Sequence, residues 1–436
     1  MEVREGGAAF VHASGFQVES DRLGQLVWEA LPARPSEIAA AIRAERAVPG
    51  HALDVFIEVM RRAGLVGEEG TPGREMGAGS RVNSGEPEAA PGTPGLVSVI
   101  VTTYNGMAHI DGCLGSIARQ THPAIEVFAV DNASTDGTVE RIRSAYPAVK
   151  VFALDRNRHY TGGVNHGAAR ARGEFLFVLN QDTELDPECI ARLHRRAAGD
   201  ASIGAVAPMM RFFQLRGVVN GLGNEIWPQG WGTDCYIGHV DLGQFGAVDE
   251  LPSACFGAVF IRKSAFETIG PLDRGYGSFY EDVDWSFRCW FGGMRIVAAA
   301  DAVVYHKFGG SYLGRPKLKF VVRNRQRLVL KLFRGKVRLG FFRRYLKEDL
   351  KCVLSLAKRR EWGTAGAYAA AYASLIARIP GIWLKRRAVM SRKKRGVREL
   401  DVFRRNFLFY CCLTPSGNTR IDSSTLLGCY RWTKAD

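Results

Sequence analysis

The segment Glu281-Asp282-Val283-Asp284-Trp285 puts three carboxylates within four residues, directly after Phe279 and Tyr280. Charges of one sign at such spacing repel, so packing alone would not select them. On a helix, Glu281 and Asp284 share a face at i, i+3 while Asp282 points elsewhere. Clustered carboxylates beside aromatic rings tend to have one member whose pKa is raised. Such a group suits removal of a proton from a hydroxyl. The plainer alternative is an acidic first turn of a helix, stabilised by the helix dipole. Asp284 is also placed to cap the helix or to pair with Arg288.

Further polar residues gather at the ends of apolar runs. Thr102-Thr103-Tyr104-Asn105 follows Val97–Val101, Asp131–Thr138 follows Val127–Val130, and Asn180-Gln181-Asp182 follows Phe175–Leu179. These runs, with Val149–Leu154, read as buried strands, and helical patterns near 109–120, 136–145 and 164–172 alternate with them. That order predicts an α/β domain with a mostly parallel sheet covered on both faces. Asp136 is placed to cap one helix, and Asp186-Pro187 to start another. In such sheets ligands sit outside the carboxyl ends of the strands. Each polar cluster alone could be a turn, but together they predict one polar crevice. There Asp131 or Asn132 could accept the imide N–H of a uracil or thymine base, and Asp182 offers a hard oxygen ligand to Mg²⁺ or Mn²⁺. Gly162-Gly163 is expected to open a helix whose N-terminus lets backbone approach a sugar or phosphate. No Walker-type Gly-Lys-Ser/Thr follows, and there is no clean G-x-G-x-x-G fingerprint.

Five motifs occur in order over 96–311: Val130–Thr138 (VDNASTDGT), Asn157 with Gly162–Gly167 (GGVNHG), Gly173–Asp182, Gly257–Arg262 followed by Gly270–Asp273 and Phe279–Arg288, and Val304–His306. The set resembles family 2 glycosyltransferases, in their rhamnosyltransferase-like branch. The resemblance implies the GT-A fold, which is Rossmann-like, and transfer of a sugar from a nucleoside-diphosphate donor with inversion. It assigns Asp282 as the base, with Glu281 holding acceptor or loop geometry. Thr103, Tyr104, Asn105, Asp131, Asn132, Ser134, Asn157, Gly162, Gly163, Asn165, Asn180 and Gln181 would contact the donor, and Gly257 and Trp285 the acceptor. Where the family often has Asp-X-Asp this chain has Asn180, so Asp182 would carry the metal contact, with His306 as second ligand. A uridine- or thymidine-diphosphate sugar and a glycan or lipid-linked acceptor at the cytoplasmic face of the membrane follow as expectations.

Around this domain, taken as 96–314, the composition shifts. Residues 1–66 show helical spacing near 21–31, 36–45 and 51–63 and faintly resemble small winged-helix PqqD-like modules. In 67–95, twelve of 29 residues are Gly or Pro, which predicts a linker. Residues 315–436 hold 31 Lys and Arg against 7 Asp and Glu, so a near-neutral body carries a basic tail suited to an anionic partner. Clusters such as Arg323-Asn324-Arg325-Gln326-Arg327, interleaved with Leu328, Val329 and Leu330, predict helices lying flat on an anionic bilayer. The apolar stretch 363–384 is just about long enough to span a membrane, but its Ala and Gly content and Pro380 favour an interfacial or core helix. The nine cysteines form no CxxC pair, which argues against a zinc site or disulfide framework and for a reducing cytosol. The start of the chain lacks the apolar core of a signal peptide. A non-catalytic protein, or one binding nucleic acid or another anionic surface through the tail, is the rival reading. It lacks any basic–aromatic reading motif, and no specific nucleic acid is expected. A nucleotidyltransferase would release diphosphate instead of a nucleoside diphosphate.

Overall fold

The computed structural model describes residues 93–226, 232–241, 243–307 and 315–394, together with the backbone of three short strands near the start of the chain. Those three, β1 (Val3–Arg4), β2 (Gly7–Val11) and β3 (Gln17–Ser20), form an antiparallel sheet where only helical spacing was expected. The helical pattern came from residues 23–60 alone, and the helices expected over 21–63 lie outside the described residues.

The main domain begins at β4 (Thr93–Thr103), three residues inside the expected linker, because Thr93 already pairs with Gly173. It continues through β5 (Ile125–Asp131), β6 (Lys150–Ala153), β7 (Gly173–Asn180), β8 (Thr183–Leu185), β9 (Ile203–Phe212), β10 (Val219–Gly221), β11 (Asn224–Ile226), β12 (Gly232–Asp234), β13 (Ala258–Arg262) and β14 (Arg295–His306). The sheet order is β6-β5-β4-β7-β13-β9-β14-β8. The first four strands are mutually parallel, β9 and β14 are parallel, and β13 and β8 run the other way. The expected α/β architecture with a GT-A-like, mostly parallel sheet is therefore present, with three reversed strands: β13, β8 and the short β10, which pairs with β9 off this path.

The continuous apolar strands are explained by burial on both sides. Val97, Val99 and Val101 of β4, with Phe175, Phe177 and Leu179 of β7, face α1 (Ile110–Ala118), α2 (Thr138–Ala145) and α4 (Cys189–Ala198). Ile100, Leu176 and Val178 face the other way, into a core that contains α3 (His159–Ala168), α5 (Lys263–Ile269) and α6 (Glu281–Phe291). Strand alternation sends neighbouring side chains to opposite faces, so a sheet covered twice needs apolar residues at every position.

The basic tail folds onto this second core. It forms α7 (Arg315–Leu332), α8 (Gly335–Lys358), α9 (Trp362–Ile376) and α10 (Ile379–Arg392). Among the described residues no helix is long and apolar enough to cross a membrane. The stretch 363–384 is instead broken between α9 and α10, with Pro380 in the first turn of α10. The expectation that the α7 cations lie on a bilayer is corrected. Arg323, Arg325, Arg327 and Lys331 are all buried, and Leu328, Val329 and Leu332 join the core of the main domain. Arg327 and Lys331 bind Asp273 at 2.8 and 3.0 Å, Lys331 also reaches Asp284 at 2.7 Å, and Arg325 pairs with Asp349 of α8. Arg323, Arg327 and Lys331 recur every four residues and so share one helix face. Read locally they look solvated, because the acids that neutralise Arg327 and Lys331 lie about fifty residues away in the chain.

Removing one partner from a buried ion cluster leaves the others uncompensated, at a cost of a few kcal/mol. Lys331→Met is therefore expected to lower unfolding free energy by about 3 kcal/mol in urea titrations. An unchanged urea midpoint would show that the cluster holds nothing together.

Candidate functional site

The register of the sheet gathers the polar strand ends. Thr103 is opposite Asp131, and Thr102 is opposite Asn180. His306 is opposite Thr183, the residue after Asp182, and the Lys307 N–H donates to the Asp182 carbonyl at 2.9 Å. The Asn180 N–H donates to the Gly257 carbonyl at 2.9 Å.

At the β4–β5 end the polar residues hold one another. Asp131 is buried and its carboxylate accepts from the Thr103 hydroxyl (2.8 Å), the Ser134 N–H (2.8 Å) and the Ser134 hydroxyl. The Ser134 Oγ in turn accepts from the Asn105 N–H, and Asn105 Oδ1 accepts from the Thr135 N–H. Asp131 is thus the knot of the turn, and Asn132 beside it is also buried, with Oδ1 accepting the Arg158 N–H at 3.1 Å. Asp136 accepts the Thr138 N–H at 3.1 Å from one residue outside the helix, where Gly137 takes the cap position expected for Asp136. Tyr104 and Gln181 pair reciprocally, backbone to side-chain amide, at 2.9 and 3.2 Å, tying two strand ends together while the Tyr104 ring stays exposed. Asn157 accepts from the His159 N–H at the start of α3.

Three expectations are corrected here. Gly162 and Gly163 do not open the helix. They lie inside α3, buried, and a Cβ on Gly163 would sit 3.1 Å from Asn132 Nδ2 and 3.2 Å from Thr102 Cγ2, so this glycine serves close packing. Asn165 is no donor ligand, since its amide bridges both backbone groups of Leu272 at 2.8 and 2.9 Å. Trp285 is fully buried, stacked on Phe266, with its indole N–H donating to the Gly270 carbonyl, so it cannot touch an acceptor. Gly257 remains at the site, facing Asn180 Nδ2 and the Cys255 sulfur.

The acidic residues form two stations. At the first, Asp182 is buried, and its Oδ1 has no hydrogen-bond partner and lies 3.5 Å from His306 Nε2. Burial would raise the Asp182 pKa, but the charge of His306 brings it below the usual carboxylate range. Burial would lower the His306 pKa, but Asp182 raises it. His306 Nδ1 is 2.7 Å from Asn220 Oδ1, which fixes the ring with Nε2 toward Asp182. Among the described residues no three His, Cys, Asp or Glu side chains form a metal cage. An orphaned carboxylate oxygen beside an oriented imidazole is nonetheless a two-ligand donor set that fits Mg²⁺ or Mn²⁺, whose remaining positions water and phosphate normally fill.

At the second station, Glu281 and Asp282 begin α6. Phe279 and Tyr280 before them both have left-handed backbones, with φ of 68 and 67°. The Asn324 amide from α7 holds that loop by donating to the carbonyls of Tyr276, Ser278 and Phe279 at 2.8–2.9 Å. Glu281 is buried with Oε2 unpartnered, and burial together with the Asp282 charge pushes its pKa well up. Asp282 is half-buried. Burial pushes its pKa up to about 6, against hydrogen bonds from the Val283 N–H (2.8 Å) and the Asn224 amide (2.6 Å). Asp282, whose charged form accepts these two hydrogen bonds, is therefore the more readily ionised of the pair. Asp284 points the other way, to Arg288, Lys331 and Tyr276, in line with the expected pairing.

The short chain segment running from β10 into β11 joins the stations. Asn220 holds His306 and Asn224 holds Asp282, four residues apart, which even fully extended is no more than about 14 Å. Tyr160 feels both stations: burial, then the charges of Glu281, Asp282 and Asp182 among others, push its phenol pKa well up, and its hydroxyl donates to the Phe256 carbonyl. Asn220, Asn224 and Tyr160 went unread in the sequence. Lone asparagines and a tyrosine carry no spacing signal, and only the fold sets Asn220 against His306, Asn224 against Asp282 and the Tyr160 hydroxyl against the Phe256 carbonyl.

Residues 98–270 match the family model described as Glycosyl transferase family 2. The chain is similar to the N-acetylglucosaminyl-diphospho-decaprenol L-rhamnosyltransferase of Mycobacterium tuberculosis, 26% identical over 48% of this chain and 76% of that one. It is also similar to the PGL/p-HBAD biosynthesis glycosyltransferase of Mycobacterium bovis, 29% identical over 49% and 78%. Among solved structures, S. aureus TarS 1–349 in complex with UDP-GlcNAc aligns over 72% of this chain and 91% of its own, with 17% identity and a TM-score of 0.45.

Because the Trp285 indole serves the core, Trp285→Phe is expected to cost about 1–3 kcal/mol of stability, from the lost hydrogen bond and the space left behind. Ligand affinities should be unchanged at temperatures where the variant stays folded. A variant of full stability with weakened acceptor binding would return Trp285 to the site.

Proposed function

We propose that this chain, a member of glycosyl transferase family 2 through residues 98–270, transfers a sugar from a nucleoside-diphosphate donor to a hydroxyl of a lipid-linked glycan, with inversion. The observation that carries the reading is the asymmetric acid pair: Glu281 is buried with Oε2 unpartnered, while Asp282 beside it is half-buried and accepts hydrogen bonds from the Asn224 amide and the Val283 N–H, which favour its charged form. Asp282 takes the proton of the acceptor hydroxyl as that oxygen forms its bond to the anomeric carbon, and the bond to the donor diphosphate breaks on the opposite face. One displacement inverts the centre, and no carboxylate nucleophile is needed. Asp182 and His306 would hold Mg²⁺ or Mn²⁺, which when bound supplies positive charge to the leaving diphosphate. Asn132, Gln181 and the Asn180 amide would line the donor side, while the buried knot at Asp131 keeps the turn in shape. The name of the similar Mycobacterium tuberculosis protein supports a rhamnose-type donor and a diphospho-polyprenol acceptor.

An acceptor in a membrane requires a protein that reaches one. The support is on α8, where Leu339, Leu346, Leu350 and Leu354 are exposed at helical spacing on a chain segment rich in Arg and Lys. This outer face, rather than α7, would meet the anionic inner surface of the cell membrane.

Asp282→Asn is expected to lower transfer at least about 100-fold while nucleotide-sugar binding persists; turnover near the normal rate would remove Asp282 as base. The acid limb of the rate profile should fall through pH about 6, because the base must be ionised. Asn224→Leu, which removes a hydrogen bond to the charged form, should move that limb to higher pH. Asp182→Ala should abolish the metal dependence of donor binding measured by calorimetry, and a preserved dependence would place the ion elsewhere. Leu350→Glu with Leu354→Glu should release the folded protein from phosphatidylglycerol vesicles, and continued sedimentation with them would exclude the α8 face.

A further inference from the structure

A second cluster of charge lies outside the carboxylate stations. A cleft of about 420 Å³ opens where the loop 274–277 meets α7 and α9, and its walls include His159, Arg274, Lys319, Phe320, Arg323 and Arg378, with no acidic side chain. Among the described residues none of the four Arg and Lys side chains lies within ion-pairing distance of a carboxylate. That separates them from Arg325, Arg327 and Lys331 on the same helix, each of which is neutralised. Arg323 shows the strain of the arrangement. It is buried, its guanidinium is spent on the carbonyls of Gly275 and Tyr276, and burial followed by the nearby charges of Arg378 and Arg327 lowers its pKa to about 10. His159 adds a ring packed edge-on against Phe320 at 5.2 Å. Converging cations without counter-charges, in a concave site, form a receptor for a multiply charged oxyanion.

The cleft also has a fixed relation to the acid pair. His159 directly precedes Tyr160, whose phenol feels the charges of Glu281, Asp282 and Asp182, and Gly277 precedes Glu281 by four residues, a chain reach of no more than about 14 Å. The donor diphosphate is accounted for on the Asp182 side, so an anion here belongs to the other substrate. We propose that the cleft binds the diphosphate of the lipid-linked acceptor and thereby presents the acceptor sugar to Asp282. The proposal rests on the glycosyl-transfer reading given above, but its test is a binding measurement that does not depend on turnover.

The full chain is titrated calorimetrically with farnesyl diphosphate, inorganic diphosphate and UDP, with a chelator present so that no metal draws diphosphate to Asp182. The expected result is that farnesyl diphosphate binds, that inorganic diphosphate competes with it, and that UDP does not. K319Q combined with R378Q, two exposed positions, should weaken farnesyl diphosphate at least about tenfold and leave the melting temperature unchanged. R274Q, from the catalytic-domain wall, should weaken it in the same direction. Asp282→Asn should bind it like the unmodified protein, so a failure of the base assignment and a failure of this site read out separately. Unaltered affinity in the double variant and in R274Q would overturn the proposal. So would displacement by UDP, which would make the cleft a donor site, and so would binding of inorganic diphosphate alone, which would make it a site for a soluble anion.

Discussion

Asp284 has no solvent exposure, and three groups meet its carboxylate: Arg288 one turn on in α6, Lys331 of α7 and the Tyr276 hydroxyl. Lys331 continues to Asp273, where Arg327 and Lys385 join. A charge taken so far from water is tolerable only when every partner is in place. The network therefore imposes one geometry on the helix that carries Glu281 and Asp282. It does so with residues from the catalytic domain, α7 and α10 together. The reactive end of α6 is positioned by its opposite face.

The same burial sets the chemistry. Glu281 and Asp282 are adjacent, yet Asn224 and the Val283 N–H favour charge on Asp282 alone, while Glu281 Oε2 has no partner to favour ionisation. Like-charge neighbours cannot both ionise cheaply in a poorly solvated place, so a small difference in hydrogen bonding divides their roles. Asp182 and His306 form the complementary case, in which opposite charges share a buried position and each sustains the other.

Much of the architecture was legible because it depends on local pattern. Strands β4, β5 and β7 and the polar residues at their ends follow from unbroken apolar runs, whereas the face expected to join Glu281 to Asp284 is divided, with Glu281 beside Asp282 and Asp284 turned to Arg288 and Lys331. Residues whose meaning depends on distant partners were misread. Trp285 looked like a sugar platform and is core, Asn165 looked like a ligand and is a backbone bridge to Leu272, and the α7 cations looked like a membrane surface. In each case the deciding partner lies far away in sequence or only in space. Asn220 and Asn224 were silent for the same reason, since an amide acquires a role only when the fold sets an acid or imidazole against it.

The left-handed pair Phe279–Tyr280 has a consequence for the protein's ancestry. Two consecutive residues with side chains in that conformation cost about 1–2 kcal/mol each, and the Asn324 amide that grips the surrounding carbonyls comes from α7. The tail is therefore not an accessory that recombination could exchange for another. A chimera joining this catalytic domain to foreign C-terminal helices would inherit the acids without the clamp that shapes their approach.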